Sequence, residues 1–317
     1  MKKALFVLVF LQQIYFAQVI FTDHAGGENK NKNELNLNTF SIVRDFCLSS
    51  NQDELYFTAQ TAEPETSVII RSVKKNGFWL KPSAVKFSGK WIDMEPFLSE
   101  DGLRLYFASN RPLTDTGKIA KDFDIWFVER KNTQAVWGKP INCGAPINSN
   151  ENEFYPCITT SKNFYFTSNG KLSKGEDDIF VCYFENGKYL PPVNVSDSIN
   201  TKGYEFNAFI TRDEKYMLFT GYNKPDGLGS GDIYISTKVN GSWTKPINMG
   251  LTINSPQMDY CPFVDEKTKT LYFTSKRFHS KEKEYRSIDE YELMQKNSDY
   301  KKTNSKLYQL YIGNWIN

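Results

Sequence analysis

The stretch EPFLSEDGLRLYFAS, Glu95 to Ser109, decides the fold. Pro96-Phe97-Leu98 is a short apolar strand. Ser99-Glu100-Asp101-Gly102 is a tight turn, in which an Asp side chain bonds its own backbone and a Gly supplies positive φ. Leu103 to Ala108 is a second strand, apolar and aromatic. Four more copies follow the same plan: DFCLSSNQDELYFTA from Asp45, YPCITTSKNFYFTS from Tyr155, NAFITRDEKYMLFTG from Asn207 and CPFVDEKTKTLYFTS from Cys261. Their turns begin at Ser49, Ser99, Thr159, Thr211 and Asp265, at spacings of 50, 60, 52 and 54 residues. A repeat of this length with several strands per unit marks a β-propeller, because one such unit cannot bury both faces alone.

Outward from the hairpin, the later strands repeat as well. DIWFVE, DIFVCY and DIYIST open at Asp124, Asp178 and Asp232. VWGKPIN, KYLPPVN and SWTKPIN align Trp137, Tyr189 and Trp243, with Pro140, Pro192 and Pro246 three residues on. Proline suits an outer strand, where a backbone donor is not needed. PINS, SINT and TINS follow from Pro146, Ser198 and Thr252. The expected fold is all-β, five blades of four strands. The alternative of six blades needs a sixth copy, which the sequence lacks. Ring closure is expected from residues 37–43, pairing as outer strand with Leu307–Ile312 in the last blade, since open edges invite aggregation.

The first residues, MKKALFVLVFLQQIYFAQ, place two lysines before an apolar run and Ala17 before a plausible cut. This reads as a secretory signal peptide over 1–17, followed by a lead-in over 18–36 and the propeller over 37–317. A periplasmic or extracellular protein is expected. The apolar run is too short for a membrane span. Of 39 basic and 37 acidic residues, Lys2 and Lys3 would leave with the leader, so the remainder is balanced, and no basic stripe points to nucleic acid. Five cysteines with no CxxC pair argue against a zinc site or a disulfide framework; Cys47 and Cys157 fall on apolar repeat positions and are expected buried and unpaired. His24 and His279 have no companions that suggest a triad or a metal site. No cofactor motif is present.

SEDGLRLYFASNR, Ser99 to Arg111, resembles the PD-type propeller repeat of the TolB-like family, with Glu100 where that repeat has proline. The resemblance covers residues 40–317 and implies the fold; the α/β domain that precedes such propellers is not expected here. YEFNAFITRDEKYMLFTGYNKPDGLGSGDIYIS, Tyr204 to Ser236, is similar to secreted single-propeller proteins of the bacterial cell envelope.

Acidic residues stand six positions before the turn in four blades: Asp93, Glu153, Glu205 and Asp259. In one register at the start of innermost strands, they are expected at one mouth of the channel. There they would either bind a cation or a basic peptide, or accept hydrogen bonds as structural ties; a metal role is left open. Ser109-Asn110-Arg111 and Ser275-Lys276-Arg277 suggest Arg–Asp pairs with Asp124, Asp178 and Asp232. The loop from Gly221 to Gly231 has no phosphate-cradle spacing, but Tyr222, Lys224 and Asp226 are candidate partner contacts. A charged insertion over 278–306 interrupts the last blade, with a short helix expected over 288–296. The functional expectation is a non-catalytic propeller binding a protein or a polysaccharide of the cell envelope. The alternative is a carbohydrate-active enzyme with paired carboxylates at the channel mouth.

Overall fold

The computed structural model describes residues 18–19, 37, 40, 42–61, 66–114, 116–277 and 305–316. Residues 1–17, nearly all of the lead-in, both histidines and the insertion up to residue 304 lie outside them.

The structure is a ring of five antiparallel blades. Blade one runs Ile42–Leu48, Glu54–Gln60 and Ser67–Lys75, with Ser83–Ala84 outermost. Blade two is Asp93–Leu98, Arg104–Ser109, Asp124–Glu129 and Ile141–Asn142. Blade three is Glu153–Ile158, Phe164–Ser168, Asp178–Cys182 and Val193–Asn194. Blade four is Tyr204–Ile210, Tyr216–Tyr222, Gly231–Val239 and Ile247–Asn248. Blade five is Asp259–Asp265, Thr270–Ser275 and Lys306–Tyr311.

The expected closing segment was misplaced. Ile42 and Val43 pair with Gln60 and Ala59 at the start of blade one's innermost strand. The outer strand of blade five is Gln18–Val19, paired with Gln309 and Tyr308. The N-terminal side does close the ring, but from further upstream. Residues just before an innermost strand have no reach to an outer edge, whereas a segment some twenty residues earlier does.

Apolar side chains gather at the blade junctions. Leu105, Phe107 and Trp126 of blade two meet Tyr56 and Ile69 of blade one, and each of the other four junctions holds a cluster of its own, the last joining Leu307 to Leu55 and Phe57. A blade therefore buries its faces only against two neighbours. The stretch ending PINS, SINT or TINS clamps the third strand: Asn148, Asn200 and Asn254 each accept from the N–H and donate to the C=O of Ile125, Ile179 and Ile233. The Ser99 turn is as expected, with Leu103 N–H donating to Asp101 Oδ1 at 2.9 Å and Gly102 at φ +70°. All five cysteines are unpaired, and Cys47 and Cys157 are buried. Their sulfurs accept from Leu98 N–H and Ile210 N–H of the following blade.

Candidate functional site

Every innermost strand carries a β-bulge, shifting register between Arg44 and Cys47, Met94 and Phe97, Phe154 and Cys157, Phe206 and Phe209, and Tyr260 and Phe263. Inside each bulge one residue takes a left-handed conformation: Asp45, Glu95, Tyr155, Asn207 and Cys261, with φ between 49° and 60°. Non-glycine residues in that region carry strain. Here it turns five side chains of one register toward one another.

They close the channel. Arg44 donates from Nε to Asp45 at 2.9 Å and from Nη2 to Glu95 at 3.1 Å and to Cys261 Sγ at 3.8 Å. Cys261 Sγ donates to Asn207 Oδ1, and Glu95 accepts from Tyr155 N–H at 2.8 Å. Tyr155 OH reaches from blade three to the Pro262 carbonyl of blade five at 3.0 Å, spanning the axis. Burial raises the Glu95 carboxyl, the neighbouring Asp45 adds to this, and Arg44 and the Tyr155 N–H oppose it. The cavity left beside this plug is about 10 Å³. The plug residues are not among those expected from the sequence; their mark is the position four residues before each turn, polar in four copies and cysteine in the fifth.

Toward the turns, Phe46, Phe97, Phe209 and Phe263 roof the plug, with ring centroids 5.2 Å apart for Phe209 and Phe263. Above them opens a mouth of about 220 Å³ with Arg212 and Glu266 on its rim. Arg212 also lines a cleft of about 1120 Å³ that runs outward between blades two and three. Arg104, Glu129, Lys162, Phe184 and Tyr189 line it, together with the exposed Val136. Arg104 pairs with Glu129 at 2.6 Å, and Arg212 with Glu100 at 3.2 Å.

The acids expected at a mouth lie at the opposite edge, and neither axial cavity is lined by them. All four are buried. Asp93 takes Ser109 Oγ at 2.6 Å and Arg111 at 2.5 Å. Glu205 takes Thr201 N–H and Oγ1 and Lys224 at 2.5 Å. Asp259 takes Ser255 N–H and Oγ and Arg277 at 2.6 Å. Glu153 takes Ser149 N–H at 3.1 Å and Ser149 Oγ at 2.5 Å. Burial pushes the Glu153 carboxyl up to about 7, with Asp124 and Asp122 adding and the Ser149 bonds opposing.

The arginines therefore pair with first-strand acids rather than with the third-strand aspartates. Asp124 instead takes Lys121 and Asn142, Asp178 takes Lys174 N–H and Asn194, and Asp232 takes the Leu228 and Gly229 N–H groups. In the candidate loop, Lys224 is committed to Glu205 and Asp226 accepts from Tyr234 OH at 2.8 Å. Tyr222 packs edge-on against Tyr204 at 5.7 Å, both partly exposed.

No protein-family model and no curated protein matches the chain. Solved structures similar to it include a putative TolB from Agrobacterium tumefaciens, 13% identical over 74% of this chain and 70% of that one, with a TM-score of 0.47. TolB from Acinetobacter baumannii is 13% identical over 75% of this chain and 49% of that one, at 0.46. An α-L-arabinofuranosidase from Lactobacillus brevis is 15% identical over 76% and 86%, at 0.45. These likenesses assign no activity to the chain. No helix of the described residues is long and apolar enough to cross a membrane.

Proposed function

We propose that this chain is a non-catalytic binding propeller of the cell envelope that takes an extended segment of a protein partner on its turn face. The observation that carries the reading is the continuous surface from the channel mouth through Arg212 into the cleft between blades two and three. Charges of both signs, the aromatic pair Phe184 and Tyr189 and the exposed Val136 on one rim suit a peptide, which offers backbone amides, charge and apolar side chains together. The first-strand acids, each hydrogen-bonded within its own segment of chain, support binding over hydrolysis, because a glycosidase needs two free carboxyls facing one bond. Export with removal of residues 1–17 belongs to this reading. The cut leaves Gln18 first, so the closing strand Gln18–Val19 is retained.

The test is a pull-down from envelope extracts with the chain lacking residues 1–17, beside glycan arrays. One protein should be retained, and Val136→Glu and Lys162→Glu should each release it with the melting temperature unchanged. Selective retention of a glycan, or its hydrolysis, with no protein retained would overturn the reading in favour of a carbohydrate-active protein.

A further inference from the structure

Three blades build the same cation site at their start edge. In blade two, Arg111 lies over Phe107 and Trp126, at 5.0 and 5.5 Å from the ring centroids. It donates to Ser109 Oγ, to Asp93 and to the Phe87 carbonyl. In blade five, Arg277 lies over Phe273 and Tyr308 and donates to Ser275 Oγ, Asp259 and the Ile253 carbonyl. In blade four, Lys224 lies over Tyr234 and donates to Glu205; Gly221 stands where the other two blades have serine.

Blade three keeps every acceptor of this site and changes only the cation. Glu153 holds the acid position, Ser168 the hydroxyl, Ile147 the carbonyl, and Phe166 and Phe180 the stacked rings, 5.9 Å apart at 28°. Gly170 stands where the arginine stands. All of these residues line one pocket of about 260 Å³. Among the described residues Glu153 has no cationic partner, although it is only 1% exposed. The pocket opens past Glu151, Lys171 and Leu172, the last two exposed.

We propose that this pocket is a receptor for a guanidinium group, supplied by an arginine side chain of a partner protein. A buried carboxylate beside two aromatic faces favours a cation that is weakly hydrated and planar. Guanidinium is selected over ammonium by Ser168: the serine-bearing blades hold arginine and the glycine-bearing blade holds lysine. Asp124 and Asp122, across the junction with blade two, deepen the negative field at Glu153. The site lies at the edge opposite the turn-face cleft and does not depend on that cleft's role.

Lys171 is the rival occupant, because it aligns with Lys224. The experiment is calorimetric titration at pH 8, above the value to which burial pushes Glu153, of the chain lacking residues 1–17 with N-acetylarginine amide, and with the lysine and citrulline analogues. Arginine amide should bind saturably, the lysine analogue at least about tenfold more weakly and neutral citrulline not at all. Glu153→Gln should abolish binding. Gly170→Arg should supply the cation internally, abolish binding and raise the melting temperature. A Cβ at Gly170 would lie 3.3 Å from Ser168 Oγ and 3.4 Å from Glu151 Cγ, both side-chain atoms that can shift. Lys171→Ala should bind as well as or better than the parent. Binding seen only in Lys171→Ala would show that Lys171 fills the pocket, and equal binding of citrulline, or binding that survives Gly170→Arg, would place the ligand elsewhere; each overturns the proposal.

Discussion

The axis of the ring and the start edges of its blades are built from the same five innermost strands and follow opposite rules. At the start edges of blades two to five one chemistry is repeated: an acid, a hydroxyl donor that stands four residues upstream in blades three to five and at Ser109 in blade two, and, in three blades, a cation over aromatic rings. At the axis the register is kept and the chemistry changes in each blade, as Asp45, Glu95, Tyr155, Asn207 and Cys261. Start-edge side chains meet partners from their own or an adjoining segment, so a good solution can be copied. Axial side chains meet their own symmetry mates. Five copies of one acid there would repel, and five copies of one donor would lack an acceptor. The repeat must therefore break where the blades converge.

The sharpest way to break this comparison is Arg44→Leu. Arg44 is the cation of the plug, beside the buried Asp45 and Glu95. Removing one partner of a buried charge cluster costs about 3–5 kcal/mol. The loss should be smaller at pH 5 than at pH 8, because Glu95, whose carboxyl burial pushes up to about 7, is neutral at the lower pH and then has less need of the missing cation. Urea unfolding at the two pH values measures both. A loss under about 1 kcal/mol would mean that the axis is not where the blades are tied.

Next in size is Asn254→Ala, which tests the copied side of the comparison. It strips a donor and an acceptor from Ile233, whose backbone is buried between blades four and five. The Ile233 N–H is left unpaired while its C=O keeps the bond from Met249 N–H at 3.1 Å, and the orphaned donor together with the lost carbonyl bond costs about 2–4 kcal/mol. The equivalent change at Asn200 should give a similar loss, since it makes the same two bonds to Ile179. A large difference between the two would show that copying of geometry does not imply copying of energy.

These rules explain what was legible in the sequence. The blades were readable because hairpin turn, apolar alternation and third-strand Asp-Ile recur with fixed spacing. The acids were readable as a register, but not their direction: the sequence places them at strand starts, and only the bulge two residues later shows that the axis belongs to Asp45, Glu95, Tyr155, Asn207 and Cys261 instead. A left-handed Glu or Asp has no compositional signature, and a register occupied by five different residue types escapes a search for a repeated residue; only its polarity, kept in four of the five copies, marks it. Closure was misassigned for a related reason. A two-residue strand such as Gln18–Val19 carries no periodicity, and its place is set by the edge it completes.

The smallest expected effect separates blade three from blade four. Glu205→Gln removes the charge facing Lys224, which is largely buried, and should cost about 1–3 kcal/mol. Glu153→Gln removes a charge with no cation opposite it. Folded Glu153 holds its proton up to about 7, whereas an unfolded glutamate releases it near 4.3. An acid raised in this way favours the fold fully below the unfolded value, and that contribution is lost as pH rises to about 7. The groups around it are Asp122 and Asp124 across the junction, Glu151 and Lys171 at the rim, and the Cys182 thiol on the third strand. Glutamine escapes the ionisation penalty but cannot accept from Ser149 through its nitrogen, and the two effects nearly cancel. At pH 8 the Glu153→Gln variant should lie within about 1 kcal/mol of the parent. Its relative stability should fall as the pH is lowered to 5, where the parent carboxyl is neutral. Thermal melts at pH 5, 6, 7 and 8 give the trend. A variant equally destabilised at all four would mean that Glu153 is held by Ser149 as firmly as Glu205 is by Lys224, and blade three would then differ from the others in sequence but not in energy.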